Sequence, residues 1–152
     1  MKLSAKTSID APKEAIWSVI TDIENATNNL QGVEKVEILE QPSDGLVGLK
    51  WVETRTIFGK TATETMWITE AVENKYYQTR AENHGAIYTS RMEITEEGGQ
   101  HFLNMSFSSK TETIAAKIMA GVFGFMFKGA TKKLIAADLE DIKATVEAKV
   151  NA

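Results

Sequence analysis

Glu53, Arg55 and Glu64 are the side chains of this chain best placed to do chemistry. A guanidinium flanked by carboxylates can grip a carbonyl, carboxylate or phosphate of a bound molecule, and a carboxylate beside it can accept a hydrogen bond or act as a base. Strand periodicity decides where the three point. Around Phe58-Gly59-Lys60-Thr61, two runs alternate in the manner of a two-residue hairpin. With Gly59 first in a type II′ loop, Phe58 faces Thr61, Arg55 faces Glu64 and Glu53 faces Met66. One face of this hairpin carries Leu49, Trp51, Glu53, Arg55, Ile57, Glu64, Met66 and Ile68; the other carries a row of threonines from Thr54 to Thr69. The threonine face reads as solvated, so the charged trio lies on the apolar side. Burying such charges unpaired costs roughly several kcal/mol each, so they must pair or reach water. An ion pair closed on itself, a ligand anchor and a catalytic group all remain open. The catalytic candidates are Glu53, Arg55 and Glu64; no catalytic residue is identified by spacing alone.

The elements that must position them repeat the same pattern. Asn83-His84-Gly85-Ala86 and Glu97-Gly98-Gly99-Gln100 are two further hairpin turns. Pairing Asn83 with Ala86 puts Tyr77, Thr79, Ala81, Tyr88, Ser90, Met92 and Ile94 on one face, and pairing Glu97 with Gln100 adds Leu103, Met105 and Phe107. All three hairpins agree on one apolar side, and a slip of one residue in any of them would exchange its faces. The lining expected for a cavity on that side is Trp51, Glu53, Arg55, Glu64, Met66, Tyr77, Tyr88, Ser90, Met92, Met105 and Phe107, with Met119 and Phe123 from a later segment. Methionines adapt to irregular apolar guests but are also ordinary core fillers. The tyrosines offer hydroxyls to a ligand carbonyl, or pack their rings and bond the backbone.

At either end of the strands the period becomes helical. Asp10 is a candidate N-cap with Pro12 and Glu14 behind it, and Ile16, Trp17, Val19, Ile20 and Ile23 form an apolar stripe. Ile135, Leu139, Ile142 and Val146 recur on one side of an amphipathic helix of at least four turns. Its forerunner, Ile114 to Gly129, is apolar on most sides and carries three glycines, which fits either a buried helix or one that bends.

Composition narrows the function classes. The chain has 152 residues, a net charge of −4 and no cysteine. That length fits one domain over residues 1–152. Thiolate metal sites, thiol nucleophiles and disulfides are excluded. The negative balance argues against nucleic acid as a partner. The only histidines, His84 and His101, lack a second histidine at ligand spacing, so no metal is expected. No glycine-rich phosphate loop joins a strand to a helix, and no cofactor is expected. The first residues lack the apolar core of a signal peptide, and no run approaches the roughly 18 apolar residues of a membrane span. A cytoplasmic protein is expected.

Four stretches, in order, carry a family likeness: Ile9-Asp10-Ala11-Pro12-Lys13-Glu14-Ala15-Ile16-Trp17, Val47-Gly48, Glu53-Thr54-Arg55-Thr56-Ile57-Phe58-Gly59-Lys60, and Asp138-Leu139-Glu140-Asp141-Ile142-Lys143. Together they make the chain resemble the SRPBCC superfamily of START-like, polyketide cyclase/dehydrase and lipid-transport proteins, over essentially its whole length. It is similar to the small stand-alone bacterial members. The resemblance implies an α+β helix-grip fold, with a curved antiparallel sheet of about seven strands around a long C-terminal helix. It implies a cavity between sheet and helix for binding a small hydrophobic or amphipathic molecule, with carriage as a further role. It also admits two other functions. One is cyclase, aromatase or dehydratase chemistry, with Glu53 or Glu64 as base and Arg55 or Tyr88 holding a carbonyl. The other is a protein-interaction module of chaperone-activator type.

Overall fold

The computed structural model describes residues 2–57, 59–83, 85–111 and 113–152, with side chains described throughout except at 57 and 114–127. The chain runs β1 (Lys2–Ile9), α1 (Lys13–Ile20), a 3-10 turn (Ile23–Asn25), α2 (Ala26–Asn29), β2 (Val33–Glu40), β3 (Lys50–Ile57), β4 (Lys60–Val72), β5 (Tyr76–Asn83), β6 (Ala86–Glu97), β7 (Gln100–Thr111) and α3 (Ile114–Val150). The strands form one curved antiparallel sheet in the order β1-β7-β6-β5-β4-β3-β2. From β2 to β7 each strand pairs with the next, and β1 closes the far side against β7, Lys2 opposite Ser108 and Ile9 opposite His101. This is the helix-grip architecture.

Two hairpins take the expected register: Asn83 faces Ala86 and Glu97 faces Gln100. The first differs. Ile57 faces Lys60, and Gly59, at φ +76°, is the residue immediately before β4. Moving a two-residue loop back by one position shifts every pairing by two, which leaves the faces intact but changes the partners. Arg55 therefore faces Ala62, Glu53 faces Glu64, and Trp51 faces Met66. A register shift between Ile68 and Glu70 of β4 keeps Ile68 opposite Thr79 and Ala71 opposite Tyr77, so the apolar face continues past the bulge.

The long helix is a single element of 37 residues rather than two segments, about 55 Å at the usual rise. Its Ile135, Leu139, Ile142 and Val146 are buried against Leu3, Ile9, Ile68 and Leu103 of the sheet and Ile16 and Ile20 of α1. Each such side chain contributes roughly 1.5–3 kcal/mol relative to its exposed state. Polar bonds fix the helix lengthwise. Lys143 Nζ donates to the Ser8 carbonyl at 2.6 Å, and the backbone N–H groups of Asp10 and Gln31 donate to Glu147 (2.9 Å) and Asp141 (3.0 Å). Asp10 thus serves the long helix rather than capping α1, whose N-cap is Pro12.

Candidate functional site

Arg55 comes from the middle of the apolar face, two residues beyond Glu53 on the same side of β3. Its Nε donates to Glu53 Oε2 at 2.7 Å. Its two terminal nitrogens donate to both oxygens of Asp138 on α3, Nη1 to Oδ1 at 3.2 Å and Nη2 to Oδ2 at 2.9 Å. The fork matches a carboxylate in the geometry arginine favours. All three side chains are largely withdrawn from water, with Arg55 only 19% exposed. Burial alone would lower the guanidinium pKa, but the hydrogen bond to Asp138 and the charges of Glu53 and Asp138 outweigh it and raise that pKa. Gly32 fits closely over this network, since a Cβ there would lie 3.3 Å from Arg55 Nη1.

The ion network forms one corner of a cavity of about 120 Å³ between the sheet, α1, α2 and α3. Val19, Ile20, Ile23 and Leu30 make one wall; Trp51, Met66, Tyr77, Met92 and Met105 make the sheet side; Ile142 closes it from α3. Thr79 and Ser90 add hydroxyls 2.6 Å apart, bonded to each other. Tyr77 is held by an edge contact with Trp17, ring centroids 6.3 Å apart. Burial, reinforced by Glu53 and Asp138, pushes its phenol pKa well above the ordinary tyrosine value, so it stays protonated at neutral pH. The Trp51 indole Nε1 is sealed from solvent and has no hydrogen-bond partner among the described residues. An apolar hollow with a few convergent polar groups is suited to holding a small molecule and setting its orientation.

Of the residues expected to line a cavity, Trp51, Glu53, Arg55, Met66, Tyr77, Ser90, Met92 and Met105 are in its walls. Glu64, Tyr88 and Phe107 are not among those walls. Tyr88 stacks on Phe107 with centroids 5.8 Å apart, and burial together with the charge of Glu64 raises its pKa. The expectation for Met119 and Phe123 falls outside the described side chains. His101 bonds the Ala11 carbonyl through Nδ1 at 2.8 Å and does not reach the cavity walls described. Sequence reasoning assigned the partner of Arg55 to Glu64, whereas the structure supplies Asp138. The signal for it existed: Asp138 lies three residues after Ile135 and four before Ile142, an acid on the buried stripe of the helix. The wall from α1 and α2 was missed for a different reason, since Val19, Ile20 and Ile23 read equally well as plain core.

Residues 1–147 match the family model described as polyketide cyclase / dehydrase and lipid transport. At the level of sequence, no curated protein matches. Among solved structures, a Thermus thermophilus protein superposes with a TM-score of 0.80 at 16% identity, over 98% of this chain and 99% of that one. The Zhui aromatase/cyclase from a Streptomyces species gives 0.78 at 17% identity, over 99% and 95%. A START superfamily protein from Mycobacterium smegmatis gives 0.68 at 18%, over 99% and 97%. At such identities the likeness is one of fold.

Proposed function

Because this chain belongs to the polyketide cyclase/dehydrase and lipid transport family, we propose that it binds a small hydrophobic or amphipathic molecule in the cavity between sheet and α3. The observation that carries this reading is the cavity itself: about 120 Å³, mostly apolar, with Arg55, Glu53 and Asp138 converging at one corner. Withdrawing a guest's carbon skeleton from water yields roughly 25 cal/mol per Å² before the opposing cost of association. The polar corner orients the guest. Met66, Met92 and Met105 let the wall adapt to its outline.

Nothing in the walls favours cyclase or dehydratase chemistry. Both Glu53 and Asp138 are engaged with Arg55, and Glu64 and Tyr88, the other groups such a reaction would use, are not among the lining residues. A net charge of −4 speaks against nucleic acid as a partner. No helix among the described residues is long and apolar enough to cross a membrane. We place the binding in the cytoplasm, a setting that a cysteine-free chain suits.

Native mass spectrometry of protein purified from its own host, followed by denaturing extraction, tests the reading. The expected result is a mass increment that is released on denaturation, and that is lost when Met105→Trp fills the hollow. Repeated recovery of empty protein would sink the proposal.

A further inference from the structure

The polar corner is not electrically closed. Arg55 meets two carboxylates, Glu53 and Asp138, so the cluster carries a net −1, and its Nε, Nη1 and Nη2 all donate within it. The one further charged residue among the described walls is Asp22, another acid. Glu53 gives Oε2 to Arg55, while its Oε1 has no hydrogen-bond partner among the described residues. The Tyr77 hydroxyl, on a side chain that is only 6% exposed, has none either. Neither atom is sealed: among the described residues, the buried side-chain polar atom with neither a partner nor accessible surface is Trp51 Nε1. Glu53 and Tyr77 both line the cavity, so these two oxygens open onto it, whereas Trp51 offers only its ring. The Tyr77 phenol registers the sign of the corner, since burial and then the charges of Glu53 and Asp138 raise its pKa.

These groups discriminate among guests. A carboxylate or phosphate would give up its water to meet a net negative corner whose guanidinium fork is taken. A carbonyl could accept from Tyr77 but would leave Glu53 Oε1 bare. An ammonium group donates to Glu53 Oε1 and to the Tyr77 oxygen and cancels the excess charge, against aromatic walls that attract a cation. Volume sets the size. A water takes about 30 Å³ of liquid, so a cavity of about 120 Å³ has room for about four waters, or a guest of about four non-hydrogen atoms.

Resting on the ligand-binding reading above, we propose that the cavity selects a small cationic amine, its ammonium group between Glu53 Oε1 and the Tyr77 hydroxyl and its short alkyl body against Met66, Met92 and Met105. Arg55 then serves as a strut between β3 and α3 that leaves one acid charge over, rather than as the group that grips a ligand acid.

NMR titration of protein carrying carbon-13 at its methionine methyls, at pH 7 and low salt, tests this, because Met66, Met92 and Met105 report from the walls. The probes are isopropylammonium, propan-2-ol, acetone and acetate, which share one size and differ in charge and hydrogen bonding. Isopropylammonium is expected to shift those methyls with a dissociation constant on the order of 1 mM, about tenfold or more below the other three. Glu53→Gln keeps the shape and removes the excess charge. It should weaken isopropylammonium about tenfold and leave propan-2-ol within about twofold. Tyr77→Phe should weaken isopropylammonium about threefold, with thermal melts showing that both variants fold. Should acetate, acetone or propan-2-ol bind as tightly as the ammonium probe, the inference fails and the ligand-binding reading survives. Unchanged ammonium affinity in a folded Glu53→Gln overturns the carboxylate assignment. If no probe moves the methyls although mass spectrometry recovers a guest, this inference falls alone; if neither finds one, both fall.

Discussion

Arg55 and Arg91 sit on opposite faces of one sheet, each next to carboxylates, and live in different electrostatic worlds. Arg91 on β6 lies over the Tyr76 ring, 4.1 Å from its centroid, and reaches Glu70 at 3.3 Å and Gln78 at 3.2 Å. Its side chain is 34% exposed, so water competes with each of these contacts. Arg55 has two carboxylates in tighter geometry, less solvent, and a partner from a distant part of the chain. The outer arginine decorates a surface that would stay folded without it. The inner one joins β3 to α3, and removing it strands two acids beside an apolar hollow. What separates them is access to water more than the number of bonds.

The largest break in this contrast is expected from Arg55→Leu. Leaving Glu53 and Asp138 without their cation should lower the unfolding free energy by about 3–5 kcal/mol in urea titrations. A loss below about 1 kcal/mol would mean that water already reaches the corner. Replacing the whole network, Arg55→Met with Glu53→Met and Asp138→Leu, should recover most of that loss, since an apolar substitute for a buried ion cluster is often neutral or stabilising. Failure to recover would show that the ions contribute more than their own mutual compensation.

Tyr77 sharpens the comparison through pH. Its folded pKa is raised above the unfolded value of about 10, so its contribution is full below about pH 10 and is lost as pH rises from there through the folded pKa. Wild type should lose stability progressively above about pH 10, and Tyr77→Phe should flatten that limb when melts are followed between about pH 9 and 11. The smallest effect is expected at Arg91→Ala, about 0.2–1 kcal/mol and diminished by salt. A larger, salt-independent loss would put the outer arginine in the same class as the inner one.

Much of this architecture could be read in the sequence because faces alternate strictly. Glycine turns located the hairpins, and the parity of Trp51, Glu53 and Arg55 survived even where the first loop was misplaced by one residue. What parity cannot supply is partner identity. Glu64 and Ala62 are both inward on β4, and only the register set by Ile57 opposite Lys60 decides which faces Arg55. Asp138 was harder still, because nothing local connects a helix acid to a strand 83 positions away. The polar contact depends on how the helix docks, which is a property of the whole sheet. The α1 wall illustrates a third limit: a buried isoleucine beside a void and one inside solid core have the same sequence pattern.

The docking of β1 against β7 also has a consequence in time. As the chain leaves the ribosome, its first strand must wait, unpaired along that edge, until more than half the polypeptide has followed it. Asp138, which joins Arg55 to α3, is made later again. Nascent intermediates will therefore present a half-built apolar trough, and early handling by chaperones should matter more for this protein than its modest size suggests.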